Sequence, residues 1–318
     1  MSAAEVGDIR EAPPVVASPS APGVGEARHG GWFVRITILV VILLWSIPTV
    51  GVLITSFRPE ALVDSTGWWT ALGNPFRAAE WTLDNYRAAL STGGFGNAFL
   101  NSLAVTIPAT VIPITIAAFA AYAFSWMEFR GRHIMFVAVV GLLVVPLQMA
   151  LIPILRLYTS GATLFGVQII PDPDLGGTFL GIWLAHTGFG LPLAVYLLRD
   201  YIGSLPSEII ESAKVDGADH FTIFWRLIVP LSVPALAAFA IFQFLWVWND
   251  LLVAYVFLGG TQKLRVLTIA LADLVGARGE NWQLLTAAAF LSMSLPLAVF
   301  FSLQKYFVRG LTAGSVKG

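Results

Sequence analysis

Six runs of about twenty mostly apolar residues alternate with polar stretches along the chain, at 36–55, 98–124, 134–155, 178–198, 229–257 and 284–303. A helix rises 1.5 Å per residue, so about twenty residues cross a hydrocarbon core of roughly 30 Å. Each run is expected to be helical, because a lone strand or loop would leave backbone amides unpaired in lipid. The pattern predicts an all-α, polytopic membrane protein with six transmembrane helices. Proline occurs in every run, as Pro48, Pro108, Pro113, Pro146, Pro153, Pro192, Pro230, Pro234 and Pro296. Neighbouring helices can compensate the lost hydrogen bonds, so these read as ordinary kinks or as kinks that line a path.

The polar stretches divide the rest. Residues 1–31 are Ala, Pro, Ser, Gly and Glu with almost no large apolar group, and are expected to be a disordered cytoplasmic segment. The first run follows too late and too long for a signal peptide and ends in Ser56-Phe57-Arg58-Pro59 without a small-residue cleavage site, so 32–57 reads as an uncleaved first helix. Residues 58–95 form a sizeable loop with Trp68, Trp69 and Trp81, which suit either interface anchors or packing inside a small folded cap. The core is expected over 96–307, with a polar loop at 199–228, and 308–318 form a tail.

Composition agrees with lipid as solvent: 57% of residues are hydrophobic, 12% are charged, and mean hydropathy is +0.78. A net charge of -1 offers no basic field for nucleic acid. With no cysteine, disulfides, thiolate metal sites and iron–sulfur clusters are excluded, and His29, His133, His186 and His220 are too scattered to suggest a metal site. An N-terminus in the cytoplasm would put eleven Lys and Arg on inside segments against seven outside, and the short loop at 126–133 holds Arg130 and Arg132. Both termini and the 199–228 loop are then expected to be cytoplasmic.

No GxxxxGK[ST], GxSxG or HExxH motif is present, so the chain is expected to hydrolyse no ATP and to be no enzyme. Within the spans two ionisable groups stand out, His186 and Asp250. Such groups are functional hypotheses by default. Helical rise puts them roughly 12 Å and roughly 10 Å below the outer face. They suit an interhelical His–Asp hydrogen bond or a water-filled vestibule, a proton relay, or a substrate contact in which Trp246, Trp248, Asn249 and Asp250 receive a sugar.

The 199–228 loop combines Glu208, Glu211, Lys214, Asp216, Asp219 and Arg226 with Ile209, Ile210, Ala213, Phe221, Phe224 and Trp225, which a purely solvated loop would not need. Leu205-Pro206-Ser207-Glu208 has the form of a helix start with a polar cap at Ser207, and a short helix is expected to about Val215. Gly217 would permit a turn, with a second short helix from Ala218 to Arg226 before Pro230 and Pro234 lead back into lipid. Ile209, Ala213 and Asp216 would share one face of the first helix, edged by Glu208, Glu211 and Asp216. That face suits a groove on another protein, with an interfacial helix on lipid as the alternative.

Glu211-Ser212-Ala213, three residues, Gly217, nine residues, then Leu227-Ile228-Val229-Pro230 resembles the EAA motif of binding-protein-dependent ABC importer permeases. Ser212 stands in place of the second-position Ala, and Leu227 and Val229 in place of Ile and Leu. Thr55-Ser56-Phe57-Arg58-Pro59, Thr82-Leu83-Asp84-Asn85-Tyr86, Asn101-Ser102, Trp248-Asn249-Asp250 and the tail from Gln304 to Gly318 are similar to the smaller permease subunit of maltose-type carbohydrate importers. The stretch 242–253 is similar to alpha-glucoside importer subunits. The resemblance implies a type I permease fold in a bacterial inner membrane and a heterodimer with a second permease subunit. It also implies a periplasmic or lipid-anchored sugar-binding protein, and two cytoplasmic ABC ATPases that bind ATP and Mg while this chain holds no cofactor. The loop would then be a coupling helix in an ATPase groove. Glu211, Ser212, Ala213, Asp216, Gly217, Ala218, Phe221 and Pro230 would form its ATPase-coupling surface, Glu211 making the polar contact, Ala213 permitting close approach and Gly217 making the turn. A related importer of another solute and a secondary transporter are the alternative readings, and the six runs show no inverted repeat of the latter kind.

Overall fold

A computed structural model describes residues 31–91, 94–274 and 281–313 of the chain, with side chains to residue 304. The expectations for residues 1–30 and for the last five residues therefore lie outside the described residues. The chain divides after Thr49 into two units. The described part of the first unit is the start of α1 (Trp32–Ser56), a helix exposing Trp32, Leu43, Leu44 and Trp45, with Thr37 and Ser46 donating back to the carbonyls of Phe33 and Ile42.

The second unit, from Val50, carries the rest. After α1 come three short helices, α2 (Glu60–Ser65), α3 (Thr70–Gly73) and α4 (Asp84–Ser91), then the long α5 (Phe95–Trp126). The bent pair α6 (Arg132–Gly141) and α7 (Leu147–Ser160) leads into a hairpin of β1 (Ala162–Leu164) and β2 (Val167–Ile170). α8 (Phe179–Gly203), α9 (Ser207–Val215), α10 (His220–Ile223) and α11 (Val229–Trp248) follow, then α12 (Leu252–Leu258), α13 (Leu267–Leu274) and α14 (Trp282–Ala313).

Among the described residues five helices are long and apolar enough to cross a membrane, or six spans if the bent pair counts as one. The span expected at 134–155, with kinks at Pro146 and Pro153, is a bent pair in which the chain turns by 105° between Val144 and Leu147. Pro146 stands at this break, where its missing N–H and its effect on the preceding residue both oppose a continuous helix. The run expected at 229–257 is also two helices, ending at Trp248 and restarting at Leu252.

The bundle is organised by the pairing of α5 with α8, which are held by small side chains. Ala117, Ala118 and Ala121 of α5 share one buried cluster with Ala194, Val195 and Leu198 of α8. Small residues let two helices approach closely where lipid supplies no hydrophobic drive. Indole N–H groups pin both ends of the pair. Trp183 donates to the Ala104 carbonyl at 2.9 Å and Trp126 to that of Ile202 at 3.0 Å. α11 packs on this pair and on α14, with Gln243 donating to the Ala109 carbonyl at 3.2 Å and Trp248 to that of Ser292 at 3.1 Å.

Overfilling the seam should therefore loosen the whole bundle. Ala121→Leu places three extra carbons at a fully buried position and is expected to cost about 1–3 kcal/mol. A lowered melting temperature of the purified protein in detergent checks this, and an unchanged one would show that α5 and α8 have room to spare.

Candidate functional site

The EAA-like loop folds as a small helical outrigger at the end of α8. α9 starts where Pro206, in an extended conformation, is followed by Ser207. Ser207 is the first helical residue and makes no side-chain cap, so the expected capping role is corrected. The inward face carries Ile210, only 1% exposed, while Leu205, Ala213 and Ala218 pack against the same core cluster as the α5–α8 seam. Ile209, expected to share the apolar face with Ala213 and Asp216, is instead exposed, as is Asp216. The outward face presents Glu208, Glu211, Ser212, Lys214 and Val215, and the Ser212 hydroxyl donates to the Glu208 carbonyl at 2.7 Å.

Gly217 has φ +82°, and a Cβ built there would meet nothing within 4 Å. The glycine is required by the backbone alone. After it, Asp219 accepts from the Thr222 amide at 2.8 Å and caps α10. Hydrogen bonding from Thr222 holds the Asp219 carboxyl below its ordinary value. The second short helix expected from Ala218 to Arg226 is corrected: α10 continues through a π-helical turn at Phe224–Ile228 into α11, giving one helix from His220 to Trp248. Pro230 sits in the first turn of α11, where a missing N–H is tolerated, and does not restart the chain. Phe221 is 67% exposed beside Trp225, while the Tyr122 hydroxyl lies 2.8 Å from His220 Nδ1 and ties the loop to α5.

At the other end of α8, His186 and Asp250 come together as their depths foretold, though not in a hydrogen bond. His186 Nε2 and Asp250 Oδ2 are 3.8 Å apart, and neither ring nitrogen finds a hydrogen-bond partner among the described residues. Asp250 is engaged elsewhere. Its carboxylate accepts from the amides of Val253 and Ala254 at 3.2 and 2.9 Å, capping α12, and its carbonyl accepts from the Thr268 hydroxyl at 2.7 Å. A cavity of about 10 Å³ adjoins the pair. That is about the size of one water.

The proposed sugar platform also separates. Trp248 is buried, stacks on Phe244 of the same helix at 5.7 Å and donates to the Ser292 carbonyl of α14. Trp246 meets the His186 ring edge-on at 5.6 Å, and Asn249, exposed, donates to the Leu245 carbonyl at 2.8 Å.

Residues 113–313, which include α8 and the whole loop, match the family model described as binding-protein-dependent transport system inner membrane component. The chain belongs to this permease family. It is 57% identical over 284 residues to the osmoprotective compounds uptake permease protein GgtD of Synechocystis sp., covering 89% of this chain and 91% of that protein. It is 45% identical to the alpha-glucoside transport system permease protein AglG of Rhizobium meliloti, covering 90% and 97%. A crystal structure of a bacterial ABC transporter that imports the acidic polysaccharide alginate contains a chain with the same fold, at TM-score 0.67 and 20% identity over 86% of this permease and 95% of that chain.

Several motif residues of the permease, quoted above only for their likeness, have clear physical tasks. Asn85 donates to the carbonyls of Ser56 and Arg58 at 2.9 and 2.8 Å, and Thr82 donates from its amide to that of Phe57 at 2.7 Å. Arg58 is 1% exposed, and its guanidinium donates to Thr66 and Gly67 and faces Glu80 at 3.6 Å. These bonds tie α2 and α4 to the end of α1, while none of Trp68, Trp69 and Trp81 is buried, Trp69 being 63% exposed. Asn101 gathers the distant carbonyls of Lys263 and Arg265 at 2.9 Å each, and Ser102 accepts from the Leu267 amide at 2.8 Å. Arg58 and Glu80 were not singled out as a pair, since they lie 22 positions apart with no helical spacing between them.

Two expectations follow. Gly217→Val is strained by roughly 1–2 kcal/mol and should strongly reduce solute uptake by the assembled transporter. Gly217→Asn, which tolerates positive φ, should retain most of it, and equal uptake by both variants would contradict the backbone requirement. Asp250→Ala removes both cap bonds and should destabilise the permease by about 1–2 kcal/mol. Asp250→Asn keeps an acceptor and should melt closer to wild type; identical losses in thermal unfolding would remove the capping role.

Proposed function

We propose that this permease is one transmembrane half of an ATP-driven, binding-protein-dependent sugar importer, and that α9 is the element through which a cytoplasmic ATPase moves it. The observation that carries the reading is the construction of α9: a nine-residue helix with one deeply buried anchor, Ile210, and an outer face that sets Glu208, Glu211, Ser212 and Lys214 beside exposed Ile209 and Val215. Glu211 stands on the outer face and Gly217 sets the return of the chain. In this reading the loop and both termini are cytoplasmic, supported by the excess of Lys and Arg on those segments. ATP and Mg belong to two copies of the ATPase, a second permease completes the pathway, and a periplasmic or lipid-anchored binding protein delivers the solute.

For cargo, the alpha-glucoside relative supports a small neutral alpha-glucoside. A second reading, uptake of an osmoprotective solute, is favoured by the more identical GgtD. The pathway assignment for His186, Trp246, Trp248 and Asn249 gains nothing from the geometry, and Asp250 reads as a structural cap.

Glu211→Arg should abolish uptake of a labelled alpha-glucoside in cells while the permease remains in the membrane, and the ATPase should no longer copurify with it. Copurification and uptake at wild-type levels would refute the coupling assignment. In the same assay with the unaltered permease, excess unlabelled alpha-glucoside should compete and glycine betaine should not. The reverse order would favour the second cargo reading without touching the first result.

A further inference from the structure

The hairpin between α7 and α8 has no task in the reading above. Its strands pair antiparallel, Thr163 opposite Gln168 and Leu164 opposite Val167. The two turn residues, Phe165 and Gly166, have φ of 51° and 81°. Positive φ at both places is the mirror-image tight turn that suits hairpins, and it normally selects Asn, Asp or Gly at the first position. Here a phenylalanine takes it, 96% exposed. Period-two alternation sets Leu164 and Val167 on one face, both exposed, and Thr163 and Gln168 on the other. Ile169 and Ile170, beyond a register irregularity, are exposed as well.

We propose that this hairpin lies in the membrane interface, with Phe165, Leu164 and Val167 in the acyl boundary of the leaflet where α7 ends and with Thr163 and Gln168 toward water. Three observations favour lipid over a protein surface as the occupant. No charged residue occurs between Arg156 and Asp172, so nothing in the segment resists entry below the headgroups. The hairpin begins two residues after α7, a helix whose exposed side chains include Met149 and Ile152. The charges that bound it, Arg156 on one side and Asp172 and Asp174 on the other, mark where the chain meets water. Two strands leave their outer backbone groups unpaired, which fits the hydrated interface and excludes the hydrocarbon centre. The hairpin and α9 lie at opposite ends of α8, so this anchor would steady the end of the permease remote from the coupling helix.

The absence of cysteine makes the test direct. Single variants Phe165→Cys, Val167→Cys, Gln168→Cys and Asp174→Cys carry a nitroxide in the complete transporter, partner cysteines replaced, in phosphatidylcholine vesicles. Collision of the label is measured with oxygen, which concentrates in lipid, and with a neutral nickel chelate, which stays in water. The oxygen-to-nickel ratio should be severalfold higher at Phe165→Cys and Val167→Cys than at Asp174→Cys, with Gln168→Cys between. Ratios at the first two positions equal to that at Asp174→Cys would place the hairpin in water and overturn the proposal. Exclusion of both reagents would also overturn it, because a protein partner would then cover the face. Phe165→Asn suits the positive φ and should fold at least as well. Combined with Val167→Cys it should lower the ratio, and no change would overturn the assignment of Phe165 as the anchor.

Discussion

The close contact of α5 with α8 is the interaction on which the other features depend. Alanines at its centre bring the two backbones together, and the indoles of Trp126 and Trp183 fasten its ends to carbonyls of the opposite helix. A helical carbonyl has a second lone pair, so these bonds take nothing from the helices they join. In a medium without water such donors would otherwise be orphaned. The seam is therefore both the packing core and the place where otherwise unsatisfied polar groups are spent.

The loop of α9 and α10 is built onto this seam. Ile210 of α9, Ile223 of α10 and Phe224 of the π-helical turn all enter the cluster that Ala117, Ala121 and Leu198 form. Phe119 of α5 stacks on Phe224 at 4.4 Å, and Tyr122 reaches His220 from the same helix. Close-packed interiors are stiff, so under the proposed function a push on α9 would reach α5 and α8 together. The continuity of α10 with α11 would add a third helix, which an independent short helix at 218–226 would not.

Much of this was legible in the chain. The spans follow from hydropathy because backbone satisfaction in lipid leaves helices as the only solution, and α9 and the turn at Gly217 follow from Pro206, the acidic first turn and a lone glycine. What escaped was decided by tertiary contacts. Periodicity did not distinguish Ile209 from Ile210 as the anchor, since adjacent positions lie only 100° apart on the helix and the neighbouring seam selects between them. The bend at Pro146 was read as one proline kink among nine, although only there does the chain leave the helix and reverse its course by 105°. Pro108, Pro113, Pro192 and Pro234 remain inside helices.

Asp250, a charge within a membrane segment, has a structural task in the backbone. The helix ends at Trp248 and restarts at Leu252, so amides at the new N-terminus have no intrahelical partner. A carboxylate three and four residues before Val253 and Ala254 meets that demand and is favoured by the helix dipole. Thr268 fastens the Asp250 carbonyl, and Asn101 and Ser102 collect the chain on either side of Val266 onto α5. The break after α11 is thus closed by side chains from three elements. His186 lies 3.8 Å from the Asp250 carboxylate without a hydrogen bond to it, and that carboxylate is held by the amides that open α12.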